Sequence, residues 1–357
     1  MVYFILMSLK VKHMNKISKK QIRIAGLFFI IYSLALTCIT AFSSELLESP
    51  VKHARNYKAF PIDMRKPLIS RVQPVPDFVL KAWREWDEKP GYIPYMPDEA
   101  EMRIIGEYIE LLPSFVKSVM KERMLGIYFV DNLLGSGLTD WVVDDGNNIY
   151  TYMIFNPSTL KKNISELVTW KEETCFIKND GDIRVRIDLD SNMNGFYYIL
   201  LHEATHIVDY VQQITPYTEP DIKRFIKNPR EATDFTLRVW KGYRDTAMPQ
   251  SFRSGITFYG FGKGPKINIT DAPDIYENLS RSPFISLYGA QNWAEDLAEL
   301  LTFYHLTNKM GMSYRIVVYR GDTVLYRLNP AENPYVKTRF PQMERFYRVT
   351  PGRKKGN

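Results

Sequence analysis

Phe196–Gln213 reads FYYILLHEATHIVDYVQQ, and at its centre stand His202-Glu203-Ala204-Thr205-His206. No Gly or Pro interrupts the chain from Phe196 to Thr215, and the flanking residues favour a helix. On a helix, positions four apart lie one above the other, so His202 and His206 can aim two imidazole nitrogens at one ion. Neutral histidines suit Zn²⁺, which takes nitrogen ligands at about 2.0–2.1 Å in tetrahedral sites. Glu203 falls one residue further round, within reach of a water at that ion without ligating it. An H-E-x-x-H helix serves metal-assisted hydrolysis, with the carboxylate as proton acceptor. The bland alternative is a buried helix whose histidines are satisfied by hydrogen bonds.

A histidine pair needs at least one further protein ligand. One class of zinc peptidase draws it from H-E-x-x-H-x-x-G-x-x-H, where Gly turns the chain back. Here those two positions are Asp209 and Gln212, which excludes that class. The other arrangement takes a Glu from a later helix, and Ser286–Leu300, SLYGAQNWAEDLAEL, offers it. Asn292 fits an N-cap, and Trp293, Leu297, Leu300, Leu301 and Tyr304 form an apolar stripe at helical spacing. Glu295 and Glu299 stand four apart on another face. One carboxylate can bind zinc; the next can hold the free N–H of a ligating imidazole. On their own, both glutamates read as a solvated helix face.

Together, HEATHIVDY and SLYGAQNWAEDLAEL resemble the catalytic domain of the anthrax lethal factor-like zinc metallopeptidases. That family shows H-E-x-x-H with an Asp three residues on, then Y-G-x-x-N-x-x-E-x-x-x-E. The resemblance implies a zincin-like α+β fold with a mixed β-sheet, and one zinc ion held by His202, His206 and Glu295. It makes Glu203 the general base and Tyr288 the hydroxyl that steadies the oxyanion. Glu299 and Asp209 become supporting groups around the ligands. Two short blocks carry the likeness. The stretch between His206 and Glu295 is longer than the family usually has, so that substrate-facing region does not carry over.

Residues 1–43 hold six Lys and Arg and no acid, so the chain's +7 leaves +1 for 44–357. The basic character therefore belongs to the leader and does not argue for nucleic acid. Ile24 to Phe42 is apolar and uncharged, and Ser43-Ser44 follows. That pattern reads as a secretory signal, with a start at Met1 or Met14. The apolar run is also long enough for an uncleaved membrane anchor. Either way the chain is expected to be exported. With Cys38 in the leader, Cys175 alone remains in the mature part, which leaves no internal disulfide.

The expected organisation is a leader at 1–43, an N-terminal extension at 44–98, a catalytic domain at 99–350 and a basic tail at 351–357. The extension should begin as an irregular lead-in over the surface (44–75) and then form a helix from Pro76 to Glu88. Asp98 should cap a helix from Glu99 to Leu112, with a shorter helix following to Glu122. Leu125–Val130, Ile149–Phe155 and Ile183–Leu189 read as strands, the last alternating cleanly between apolar and charged. One strand within 125–189 should form a sheet edge beside the H-E-x-x-H helix and hold a peptide in extended form. Helical pieces are expected at Asp221–Ile226 and Ala232–Tyr243, a loop beside the cleft at 258–264, and a hairpin at Tyr314–Val318 and Thr323–Leu328. The partner implied is a peptide or protein substrate. The competing reading is an exported or membrane-anchored zinc-binding structural or interaction protein without turnover, in which Glu299 or Asp209 supplies a fourth ligand.

Overall fold

Gly195–Gln212 (α5) is the helix around which the rest is packed. Its interior is so rich in apolar residues that all but four of its positions are buried. It ends at Gln213, whose left-handed backbone (φ 50°, ψ 57°) breaks the helical repeat. The helix enters against Ile164–Glu173 (α4). A Cβ on Gly195 would stand 2.5 Å from a Leu167 methyl carbon, so this crossing needs a glycine.

The computed structural model describes residues 54–348 except 227, all within one unit, Pro50–Asn357. The expectations for the leader at 1–43 and the tail at 351–357 lie outside the described residues. Among the described residues, no helix is long and apolar enough to cross a membrane.

The architecture is α+β. Ile93–Tyr95 (β1), Met124–Asp131 (β2), Gly137–Val143 (β3) and Ile149–Phe155 (β4) form a mixed sheet in the order β1-β2-β4-β3. β2 and β4 run parallel; the outer pairs are antiparallel. Phe129 and Phe155 leave this sheet to meet Phe196 of α5, at ring-centroid distances of 5.6 and 5.0 Å. That aromatic junction seats the helix on the sheet. β3 is one of the sheet's two edge strands, and its Thr139 hydroxyl donates to the carbonyl of Glu203 at 3.0 Å. A strand in 125–189 thus flanks the helix, and it is Gly137–Val143, whose burial does not alternate along the strand.

Ile183–Asp188 (β6) belongs elsewhere. It pairs with Arg315–Arg320 (β8), which pairs with Thr323–Leu328 (β9), in a separate antiparallel sheet. Two two-residue strands, Phe176–Ile177 (β5) and Ile267–Asn268 (β7), pair between these regions.

The N-terminal elements follow the capping chemistry. Asp98 accepts from the amides of Ala100 and Glu101 while Glu101 reaches back, a complete capping box for Glu99–Leu111 (α2). Asp77–Trp86 (α1) and Ser114–Arg123 (α3) also form. The described part of the lead-in, 54–75, does not run over the surface, however. Phe60, Leu68, Val72 and Val75 are buried, and Val72 bridges to Ile127 of β2. Buried Arg71 donates to the carbonyls of Met120, Lys121 and Met124, closing the end of α3. Apolar residues at irregular spacing, with one arginine for the orphan carbonyls, gave no period to read.

A second correction concerns 232–243. No helix forms there; turns around Thr233 and Thr236 bring Trp240 inward instead. Conversely, Ala272–Ser280 (α6) forms a helix within 214–287, a stretch with little regular signal in the sequence. The shorter helix Pro220–Phe225 forms where one was expected.

Candidate metal centre

Trp293–Tyr304 (α7) starts where Asn292 accepts hydrogen bonds from the amides of Ala294 and Glu295, each at 3.0 Å. This cap fixes the first turn and with it the direction of Glu295. The helix lies against α5 and brings Glu295 to the histidines. Nε2 of His202 is 3.1 Å from Oε2 of Glu295 and 3.3 Å from Nε2 of His206, and His206 is 3.6 Å from the same carboxylate oxygen. Among the described residues, these three form the group of ligand-type side chains close enough to share a metal ion.

Zinc fits that spacing. Tetrahedral ligands on bonds of about 2.0–2.1 Å are separated by roughly 3.3–3.4 Å, the middle of the observed range. The electrostatics agree. Burial disfavours charge on His202, but Glu295 and Glu299 outweigh it and raise the imidazole pKa to about 10. Burial opposes charge on His206 too, but Glu295, with Glu203, raises its pKa as well. Burial would lift the pKa of Glu295, yet the two histidines hold its carboxyl well below the usual range. The centre of the cluster is therefore a place that favours positive charge, and two imidazoles with one carboxylate are a zinc donor set.

Behind the cluster, Glu299 accepts from Nδ1 of His202 at 3.0 Å. It also accepts from the Ser286 hydroxyl at 2.6 Å, from the Tyr198 hydroxyl and from Nζ of Lys171 at 3.1 Å. A bond at Nδ1 sets the ring orientation and leaves Nε2 for the ion. The solvated-face reading fails for this glutamate, whose side chain is wholly buried.

Asp209 stands further along α5. Its two oxygens accept from the amide and hydroxyl of Thr215, both at 2.6 Å, and so tie down the chain as it leaves the helix. Burial raises its pKa to about 6 against the pull of those bonds. Neither Glu299 nor Asp209, the suspected fourth ligands, belongs to the group of side chains close enough to share one ion.

The cluster opens into a cleft of about 300 Å³, lined in part by Gly137, Leu138 and Thr139 of β3. Glu203 faces this cleft, and burial raises its pKa while His206 and His202 oppose. A raised carboxylate is a better proton acceptor than an ordinary one. Tyr288 lines the same cleft, its ring centroid 5.7 Å from that of His202. Burial and the charge of Glu295 push its phenol well above the usual value, so it remains a donor at neutral pH. The segment 258–264 does lie at the cleft: Phe258 packs edge-on to Tyr288, and Tyr259 and Phe261 line the wall. Gly289 follows Tyr288, and a Cβ there would press on Glu299 at 3.2 Å, so the turn carrying Tyr288 sits tight against α7.

Lys171, Tyr198 and Ser286 were missed by the sequence reading. A signal for Lys171 existed. Ile164, Leu167, Val168 and Lys171 recur at the spacing of a buried face, which puts a lysine at a core position.

No family model, curated protein or solved structure matches this chain.

Proposed function

We propose that the protein is a zinc-dependent metalloendopeptidase, of zincin-like fold and similar to the anthrax lethal factor-like peptidases. The observation that carries this reading is the His202–His206–Glu295 cluster at zinc spacing, opening on a cleft that also contains Glu203 and Tyr288. His202, His206 and Glu295 would hold the ion. Bound there, zinc would lower the pKa of a water to about 7 and polarise a scissile carbonyl. Glu203 takes the water's proton and passes it to the leaving amine. Tyr288 donates its hydroxyl to the oxygen that gains charge as the carbonyl is attacked. β3 offers its open edge to an extended peptide beside the helix. Glu299 keeps His202 in place, and Asp209 keeps the exit of α5 in place.

The test is a peptide-library digestion with the zinc-loaded protein, read by mass spectrometry. Cleavage that disappears on chelation and returns with zinc is expected. A zinc-loaded protein that cleaves nothing, with a fourth protein ligand found by X-ray absorption, would leave the non-catalytic zinc-binding reading in its place.

A further inference from the structure

Lys171 is a lysine in the interior, 2 % exposed, on a helix that contributes none of the residues named so far as ligand, base or oxyanion donor. An ammonium group taken out of water needs its charge balanced and its three donors met. Here Nζ is 3.1 Å from Oε1 of Glu299, donates to the hydroxyl of Tyr198, and lies 4.2 Å from the centroid of the Tyr288 ring. Tyr198 itself donates to the same Glu299 oxygen. One cation thus closes a ring of contacts on the carboxylate that grips Nδ1 of His202, and rests on the face of the tyrosine beside that histidine. The neighbouring Glu172 bonds instead to the hydroxyl of Tyr276, so it does not take over this role.

We infer that Lys171 is a positioning residue for the metal centre: it locks Glu299 in the orientation that presents His202 to zinc. The inference rests on the metal site proposed above. The arrangement is more specific than burial requires, because a hydrophobic side chain of similar length would fill the same space without a desolvation cost. What only the ammonium supplies is a fixed charge on Oε1 of Glu299. Groups that hold a ligating imidazole are typically worth about 10–100-fold in metal affinity.

The experiment is a double-mutant cycle on zinc affinity, measured in the full chain by competition with a chromogenic chelator. The proteins are wild type, Lys171→Met, Glu299→Gln and the double variant. Lys171→Met is expected to weaken zinc about 10–100-fold, and the double variant to be no weaker than the poorer single one. The d–d bands of the cobalt-substituted protein should shift in Lys171→Met, a readout that mere loss of packing would not move. Affinity within about twofold of wild type would overturn the inference, as would losses that multiply in the double variant. If Lys171→Met alone does not fold, the double variant, which removes both partners of the buried Lys171–Glu299 pair, is compared with Glu299→Gln. Equal affinities support the inference, and a further loss beyond about threefold defeats it. A wild type that binds no zinc would sink the metal site itself; a zinc-binding wild type with an indifferent Lys171→Met sinks only the role of Lys171.

Discussion

The two sides of the His202 imidazole are built in opposite ways. Behind it stands a closed wall, where Glu299, Lys171, Tyr198 and Ser286 are all buried and bonded to one another. In front of it, Glu295 and His206 keep 21 % and 15 % of their side-chain surface and face the cleft with Glu203 and Tyr288. The wall satisfies every group it contains, as a buried polar network must. The open side groups side chains whose partners belong to whatever enters. On the function proposed above, the back sets orientation and the front carries the chemistry, as a rigid support serves a reacting site.

Substitutions should separate the two sides. The largest effect is expected at the front. Glu203→Gln should lower turnover about 10²–10⁴-fold with zinc content unchanged, checked by initial rates beside elemental analysis. Turnover at the wild-type rate in a metal-clean preparation would remove Glu203 from the role. At the back, Glu299→Ala should act on stability first. It leaves Lys171 buried without its counter-charge, a loss of about 3–5 kcal/mol by urea unfolding of chelator-treated protein. Glu295→Ala, on the wetter side, should cost clearly less in the same assay. Equal losses would erase the distinction. Tyr288→Phe is next, with kcat reduced about 10²–10³-fold and zinc affinity unaltered. A change in zinc affinity without a change in kcat would move Tyr288 from front to back.

The smallest effect on zinc and turnover belongs to Asp209, outside both sides. Its pKa is raised from 3.8 to about 6, so the folded state holds a proton that the unfolded chain has released between those values. Its contribution to stability is fully present below about pH 4 and lost as pH rises through about 6. Asp209→Asn should flatten that slope, a difference of up to about 3 kcal/mol between the two ends of the window. An unchanged slope would mean that another group titrates there.

The front of the site is legible in the chain because local rules place it. A helix period sets His202, Glu203 and His206, and one N-cap, Asn292, sets Glu295. The back is less legible because it is assembled across long separations. Lys171 and Glu299 lie 128 positions apart, and a lysine in a helix usually means a wet face. The same contrast runs through the fold. α2 announces itself through a capping box, and β6 through alternation. β3 does not: its last four residues are buried on both faces, so Trp141, Val142 and Val143 show no period of two. In 232–243 helical spacing was present, but Thr233 and Thr236 turn the backbone on their own hydroxyls and override it.

The central claim is that His202, His206 and Glu295 bind zinc while Glu299 supports from behind. Elemental analysis of the purified protein, wild type against Glu295→Ala and Glu299→Ala, tests it most directly. About one zinc per chain in wild type, lost in Glu295→Ala and mostly kept in Glu299→Ala at saturating zinc, is the expected result. Stoichiometric zinc that survives Glu295→Ala would contradict it, placing the third ligand elsewhere and undoing the division between front and back.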